Sequence, residues 1–258
     1  MKKSRFSKMV FFLTLIFLFL PLIVLVVYAF NESRNMRWTG FSLVWFERLF
    51  TGSRNLWRAF GNSVLVALTS AATATLVGTL GAIGINWYSF RLKKYVQAVS
   101  LLPLILPEII IGISMLIFFV GIDLQMGLLR IYIAHTTFNL PFVLLVVMSR
   151  LDEFDFSIIE AARDLGAREH QTLLKVIIPM AMPGIISAFL IAVTMSLEDF
   201  VITVFVSGPG ASTLPVHIYS MIRTGVSPVV NALSVILLGA TIGMVFLMRP
   251  FIKYIAHE

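Results

Sequence analysis

Cysteine is absent and charge is scarce: the 258 residues contain no Cys, and Asp, Glu, Lys and Arg together make up 13% of them. The first absence excludes a disulfide framework and thiol chemistry. The second, with 59% hydrophobic residues and a mean hydropathy of +0.94, excludes an ordinary soluble core of this length and favours a chain that crosses a membrane several times. Also missing are a GxxxxGK[ST] loop to cradle phosphates, a nucleophile–base set and a metal-ligand cluster, the four His being scattered. The chain is therefore expected to be no enzyme, and to bind neither ATP nor a metal by itself. Its net charge of +7 does not indicate nucleic acid, because the Lys and Arg gather at the ends of apolar runs, where membrane topology places them.

Six apolar runs, at about 9–30, 60–88, 96–120, 128–148, 177–205 and 229–251, have the length a membrane span needs. The first follows a basic leader, but it is too long for the core of a signal peptide and no small-x-small cleavage site follows clearly, so it reads as a retained span. Loops on the leader's side of such a chain hold thirteen of the twenty Lys and Arg, and the opposite loops seven. That bias puts both termini in the cytoplasm. The expectation is an all-α polytopic membrane protein, a single transmembrane domain over 1–258 with about six helices. The 31–58 segment is polar and aromatic; Trp38, Trp45 and Trp57 read as interfacial anchors, and Trp45 is also a candidate to stack on a passing cation.

Polar residues interrupt three of the runs. Pro103 and Pro107 each remove a helix hydrogen bond, freeing the carbonyls of Val99 and Pro103, and Glu108 follows at once in mid-run. A broken helix with a carboxylate at that depth suits a cation or a water-lined path. In the fourth run His135, Thr136, Thr137 and Asn139 form a patch that reads as interhelical hydrogen bonding rather than metal or proton chemistry. In the fifth, Ser196, Asp199 and Thr203 fall at i, i+3 and i+7 and share one helical stripe. Glu198 points about 100° away, so the two carboxylates need not face one cavity.

The 150–179 segment is different: strongly polar, it holds six of the thirteen acidic residues. Asp155 can cap a helix and Gly166 can end it in the left-handed conformation, which predicts a helix over 156–165. Ile158, Ala161, Ala162 and Leu165 share one face, small enough for another surface to approach, with Glu160, Arg163 and Asp164 at the rim. The element is shaped to sit in a partner's groove.

Glu160-Ala161-Ala162, Gly166 three residues on, and Val176-Ile177-Ile178-Pro179 after nine more resemble the EAA loop, EAA-x3-G-x9-I-x-L-P, of permease subunits in ABC importers. Val176 and Ile178 depart conservatively from the usual Ile and Leu. The runs SRL, DLGA, AMPGI, SLEDFV, FVSGPG, TLP, IYSMIRTGVSP and NAL, in that order, are similar to the C-type permeases of spermidine/putrescine (polyamine) importers. The resemblance implies the type I ABC importer permease (MetI-like) fold, in a bacterial cytoplasmic (inner) membrane. It implies that 150–179 is the cytoplasmic coupling loop, with Glu160, Ala161, Ala162 and Gly166 docking on a dimer of ATPase subunits that use ATP in trans. A second homologous permease and an extracytoplasmic polyamine-binding protein complete the set of partners it implies, the latter meeting 207–228; surrounding lipid is the other partner, and no nucleic acid is expected.

The same resemblance places acidic residues of the pathway at Glu108, Glu198 and Asp199, with Ser196 beside them. A charge at bilayer depth costs about 2.5–3.5 kcal/mol on insertion scales, and no Lys or Arg lies well inside a run to offset it. A polyamine supplies the missing charge: its ammoniums suit the carboxylates and its methylenes suit apolar and aromatic walls. Other readings are that these acids serve assembly with a sister subunit, that the solute is a different one, or that they relay protons in a secondary transporter.

Overall fold

The computed structural model describes residues 5–35, 37–155, 157–225 and 227–255. Among them the chain is helical, with no strand beyond a single antiparallel bridge between Asn31 and Phe41. It forms two compact units, one of 1–57 with 218–258 and one of 58–217.

In the first unit, α1 (Arg5–Ala29) packs along α12 (Pro228–Ile255), which also meets α2 (Val44–Gly52). Only Ala29 of α1 is buried, as expected of a helix apolar on every side whose solvent is lipid. The turn after α1 is organised by Asn31, whose Nδ2 donates to the carbonyls of Ser33, Asn35 and Arg37 and whose Oδ1 accepts from the Thr39 amide at 3.0 Å. Trp45 is 6% exposed. Its Nε1 donates to the Asn31 carbonyl at 2.6 Å and its ring face carries the Arg48 guanidinium at 4.9 Å. The ring is thus a packing element of this unit, and the expectation that it stacks on a passing cation meets a face already occupied.

The second unit takes in most of α3 (Arg54–Trp87), then α4 (Lys93–Leu101), α5 (Glu108–Gly121), α6 (Leu128–Asp152), α7 (Ser157–Asp164), α8 (Glu169–Thr172), α9 (Ile178–Glu198) and α10 (Val201–Val206), and reaches the start of α11 (Leu214–Arg223). Two clusters form its core. Ala71, Ala74 and Ala82 of α3, Val143, Leu144 and Val147 of α6, and Ala181, Ala188 and Ala192 of α9 make the first. Small residues let these helices approach closely where no hydrophobic drive separates protein from lipid. Phe119, Ile131, Ala134, Ile202 and Val206 make the second. There Gly112 of α5 lies so near α10 that a Cβ would meet Phe205 at 2.8 Å, so glycine is required by contact. By contrast a Cβ added at Gly239 or Gly243 would meet nothing within 4 Å among the described residues.

Among the described residues four helices are long and apolar enough to cross a membrane: α1, α3, α6 and the 30-residue run Glu169–Glu198. The pair Lys93–Leu104 and Glu108–Gly121, bent by 104° between its halves, makes a fifth if it is counted as one span. α12, 28 residues long, takes the place of the sixth expected run. Proline is the cause of the bend: α4 tightens into a 3-10 turn, Leu102–Leu104, and α5 restarts after Pro107. One detail corrects the sequence reading. The Val99 carbonyl is not free, because it accepts from the Leu102 amide as the helix tightens.

Candidate solute pocket and coupling helix

The expected single helix over 177–205 is interrupted. α9 stops at Glu198, Asp199 adopts an extended conformation (φ −61°, ψ 122°), and α10 begins at Val201. Asp199 causes the restart by capping it: Oδ1 accepts from the Ile202 amide at 3.2 Å, and Oδ2 accepts from the Thr203 amide at 2.9 Å and from its hydroxyl at 2.7 Å. No proline is involved.

The acids nevertheless meet in space: Glu198 and Asp199 line the same pocket, of about 300 Å³, together with Glu108, Phe138, Met195, Phe200 and Val201. The break follows both of them, since the Asp199 amide still donates to the Met195 carbonyl at 3.1 Å as in a helix, so they share the pocket although their side chains point apart. Glu108 and Glu198 are exposed, whereas Asp199 is buried and holds its helix start. Glu108 is the first residue of α5, where the amides of the first turn favour a carboxylate. The lining alternates acids with aromatic and apolar surface. Ser196 is not among the lining residues; it is buried, facing Ser70 at 3.4 Å and His135 at 2.6 Å.

The polar patch of α6 divides. Thr136 and Thr137 donate back to the carbonyls of Tyr132 and Ile133 within their own helix. His135 crosses to the other side of the pocket wall, with Nδ1 on Ser196 and Nε2 at 2.9 Å from Thr203 Oγ1 and 3.2 Å from Asp199 Oδ2. Interhelical hydrogen bonding is what the sequence reading assigned to it. That its partner is the acidic stripe was hidden, because 61 residues separate His135 from Ser196.

The 150–179 segment is built as its sequence suggests, with Phe156 outside the described residues. Asp155 Oδ1 accepts from the Ser157 amide at 3.0 Å at the start of α7. That bond, followed by the Ser157 side chain, holds the Asp155 carboxyl below its ordinary pKa. At the other end Gly166 has φ +82°, the Ala167 amide returns to Ala162 O and the Gly166 amide to Arg163 O, the paired closure of a left-handed helix stop. α7 is held to the unit by half-buried Ile159 against the α3–α6–α9 core, and by the Arg163 guanidinium 5.5 Å from the Trp87 ring. The Tyr88 hydroxyl donates to Glu169 at 2.9 Å, a bond that raises its pKa. Ala162 therefore turns partly inward, while Ile158, Glu160, Ala161 and Leu165 stay exposed. Leu165, at the end of α7, is 90% exposed.

Residues 74–256 match the family model described as "Binding-protein-dependent transport system inner membrane component". The spermidine/putrescine transport system permease protein PotC of Escherichia coli (strain K12) is 41% identical over 230 residues, 89% of this chain and 87% of that protein. The putrescine transport system permease protein PotI of the same strain is 39% identical over 246 residues, 92% of this chain and 87% of that protein. In fold the chain is similar to a bacterial alginate ABC transporter solved in complex with alginate pentasaccharide-bound periplasmic protein, at TM-score 0.72 and 20% identity, over 95% of this chain and 90% of that one. The chain belongs to the binding-protein-dependent transport system inner membrane components, the multi-pass permeases of ABC importers.

Proposed function

We propose that this chain is the C-type permease subunit of a polyamine importer, and that its solute passes Glu108 and Glu198. The observation that carries the reading is the convergence of Glu108, Glu198 and Asp199 on one pocket walled by Phe138, Met195 and Phe200. A flexible amine with cationic ends and an apolar stem is complementary to it: charge-assisted hydrogen bonds form at the two exposed carboxylates, and ring faces receive the methylenes and the edges of the ammoniums. Asp199 shapes the site, and Ser196 belongs to the buried network behind it.

The chain uses no ATP itself. A dimer of separate ATPase subunits receives α7 through Glu160, Ala161 and Leu165, with Gly166 fixing the end of the helix. Their closure carries α7, and through the Ile159 and Arg163–Trp87 contacts the motion reaches α3, α6 and α9. A homologous permease supplies the other half of the pathway, and a polyamine-binding protein meets 207–228 outside. The termini lie in the cytoplasm and the membrane is the bacterial inner one. Spans then rock about the pocket in alternating access.

The test is uptake of radiolabelled putrescine and spermidine by cells stripped of other polyamine importers and expressing the full system. Saturable, ATP-dependent uptake is expected, and it should fall sharply in the Glu108→Gln/Glu198→Gln double variant while that variant still assembles with its ATPase. Normal uptake by the assembled double variant would overturn the reading.

A further inference from the structure

A second pocket, of about 640 Å³, lies in the other unit, between the last turns of α1, the loop after it and the start of α12. Its chemistry is the reverse of the solute pocket's. That one is lined by three acids and no base, this one by Arg34 and no acid, so a polycation is repelled here and an anion attracted. Arg34 makes no ion pair among the described residues. Its Nη2 lies 3.6 Å from where a Cβ of Gly225 would stand, so the guanidinium rests against bare backbone at the pocket's edge. The loop that carries it is fixed from within: buried Asn31 donates to the carbonyls of Ser33 and Asn35, and the Asn35 amide donates to Ser33 Oγ at 3.0 Å. A built turn therefore presents the cation.

The lining changes in polarity along the helix. Pro21, Val24 and Leu25 of α1 wall one end, and Tyr28, Arg34 and Asn231 the other. Seven residues separate Pro21 from Tyr28, about 10 Å of helix, or roughly a third of a bilayer's hydrocarbon thickness. Tyrosine at that point of a span marks the headgroup level. The hollow has a floor, because from Arg5 to Leu20 every residue of α1 except Leu15 is exposed. A partner's spanning helix would call for a groove along the whole of α1, whereas a molecule with an anionic head and an apolar stem fits a hollow one leaflet deep. We propose that this pocket holds one anionic phospholipid, its phosphate on Arg34 and an acyl chain along Pro21, Val24 and Leu25. The lipid bridges α1 and α12 on the side where their shared loop segments meet the headgroups, and the proposal stands apart from the identity of the transported solute.

The chain has no cysteine, so Leu25→Cys places a single thiol in the pocket and Leu18→Cys one on the open face of α1. Each is labelled with bimane in the full transport complex, reactive cysteines of the other subunits having been replaced, and reconstituted in phosphatidylcholine nanodiscs. A small, equal share of brominated-chain phosphatidylglycerol or brominated-chain phosphatidylethanolamine is added, and quenching is compared. At position 25 the anionic lipid should quench about threefold or more better than the zwitterionic one, the scale of one basic residue near a headgroup. At position 18 the two should quench alike. Arg34→Gln, at an exposed site where folding is not at stake, should bring position 25 to equality, and Arg34→Lys should keep most of the preference. Equal quenching at 25 in the parent would overturn the proposal, as would a preference that survives Arg34→Gln or appears equally at 18. No quenching at 25 by either lipid would give the pocket to a partner subunit instead. Excess soluble glycerol phosphate at constant ionic strength should leave the preference in place; if it abolished it, the pocket would be a site for a soluble anion and the lipid assignment would fall.

Discussion

Two interruptions border the same pocket, and they are made in opposite ways. Between α4 and α5 the chain is broken by covalent geometry: Pro103 and Pro107 lack amide hydrogens, the helix tightens and then turns by 104°, and Glu108 is delivered at the start of the next segment. Between α9 and α10 nothing in the backbone forces a break. A buried carboxylate caps the restart and a histidine from another helix holds the carboxylate. The first break stays wherever its prolines go. The second is held by the local bonds of Asp199 to residues 202 and 203, to which His135 of α6 adds a contact from outside the segment.

The contrast can be broken at several points. Removing both exposed charges, Glu108→Gln with Glu198→Gln, should lower putrescine uptake roughly a hundredfold or more, since each charged hydrogen bond contributes about 1.5–3 kcal/mol; initial rates of radiolabel uptake check it. Asp199→Ala removes the cap of the second break, worth up to about 2 kcal/mol, and should reduce uptake roughly thirtyfold while the protein remains membrane-inserted. Gly166→Val sits at φ +82°, where a branched side chain costs about 1–2 kcal/mol. It should lower solute moved per ATP hydrolysed about tenfold without altering the pocket's affinity, measured as coupled transport and ATPase activity in proteoliposomes. Pro107→Ala should have the smallest effect, about twofold on uptake, because Pro103 still ends α4. An effect of Pro107→Ala as large as that of Asp199→Ala would erase the distinction between the two breaks.

Much of this was legible along the chain. The apolar runs give the spans because a backbone in lipid must satisfy its own hydrogen bonds. Asp155 and Gly166 mark the ends of α7 because capping and left-handed closure act over a few residues. What was not legible depended on distant partners. A continuous helix through 205 was the natural local expectation, and it hid that Asp199 caps a second helix start at Val201. Ala162, placed on the docking face by spacing, is half-buried because Ile159 and Arg163 fix how α7 lies on the core.

By itself, then, the amino-acid sequence determined that this protein crosses a membrane, where its proline bend falls, and that a capped helix with an EAA pattern interrupts the spans, since each of these is set by composition or by neighbours within a turn or two. Only the tertiary structure decided which acids share a pocket and which one is held back as a cap. That choice rests on how α5, α6, α9 and α10 pack, which brings Glu108 to the pocket of Glu198 and His135 to within 3.2 Å of Asp199, and such contacts form only once the helices have packed.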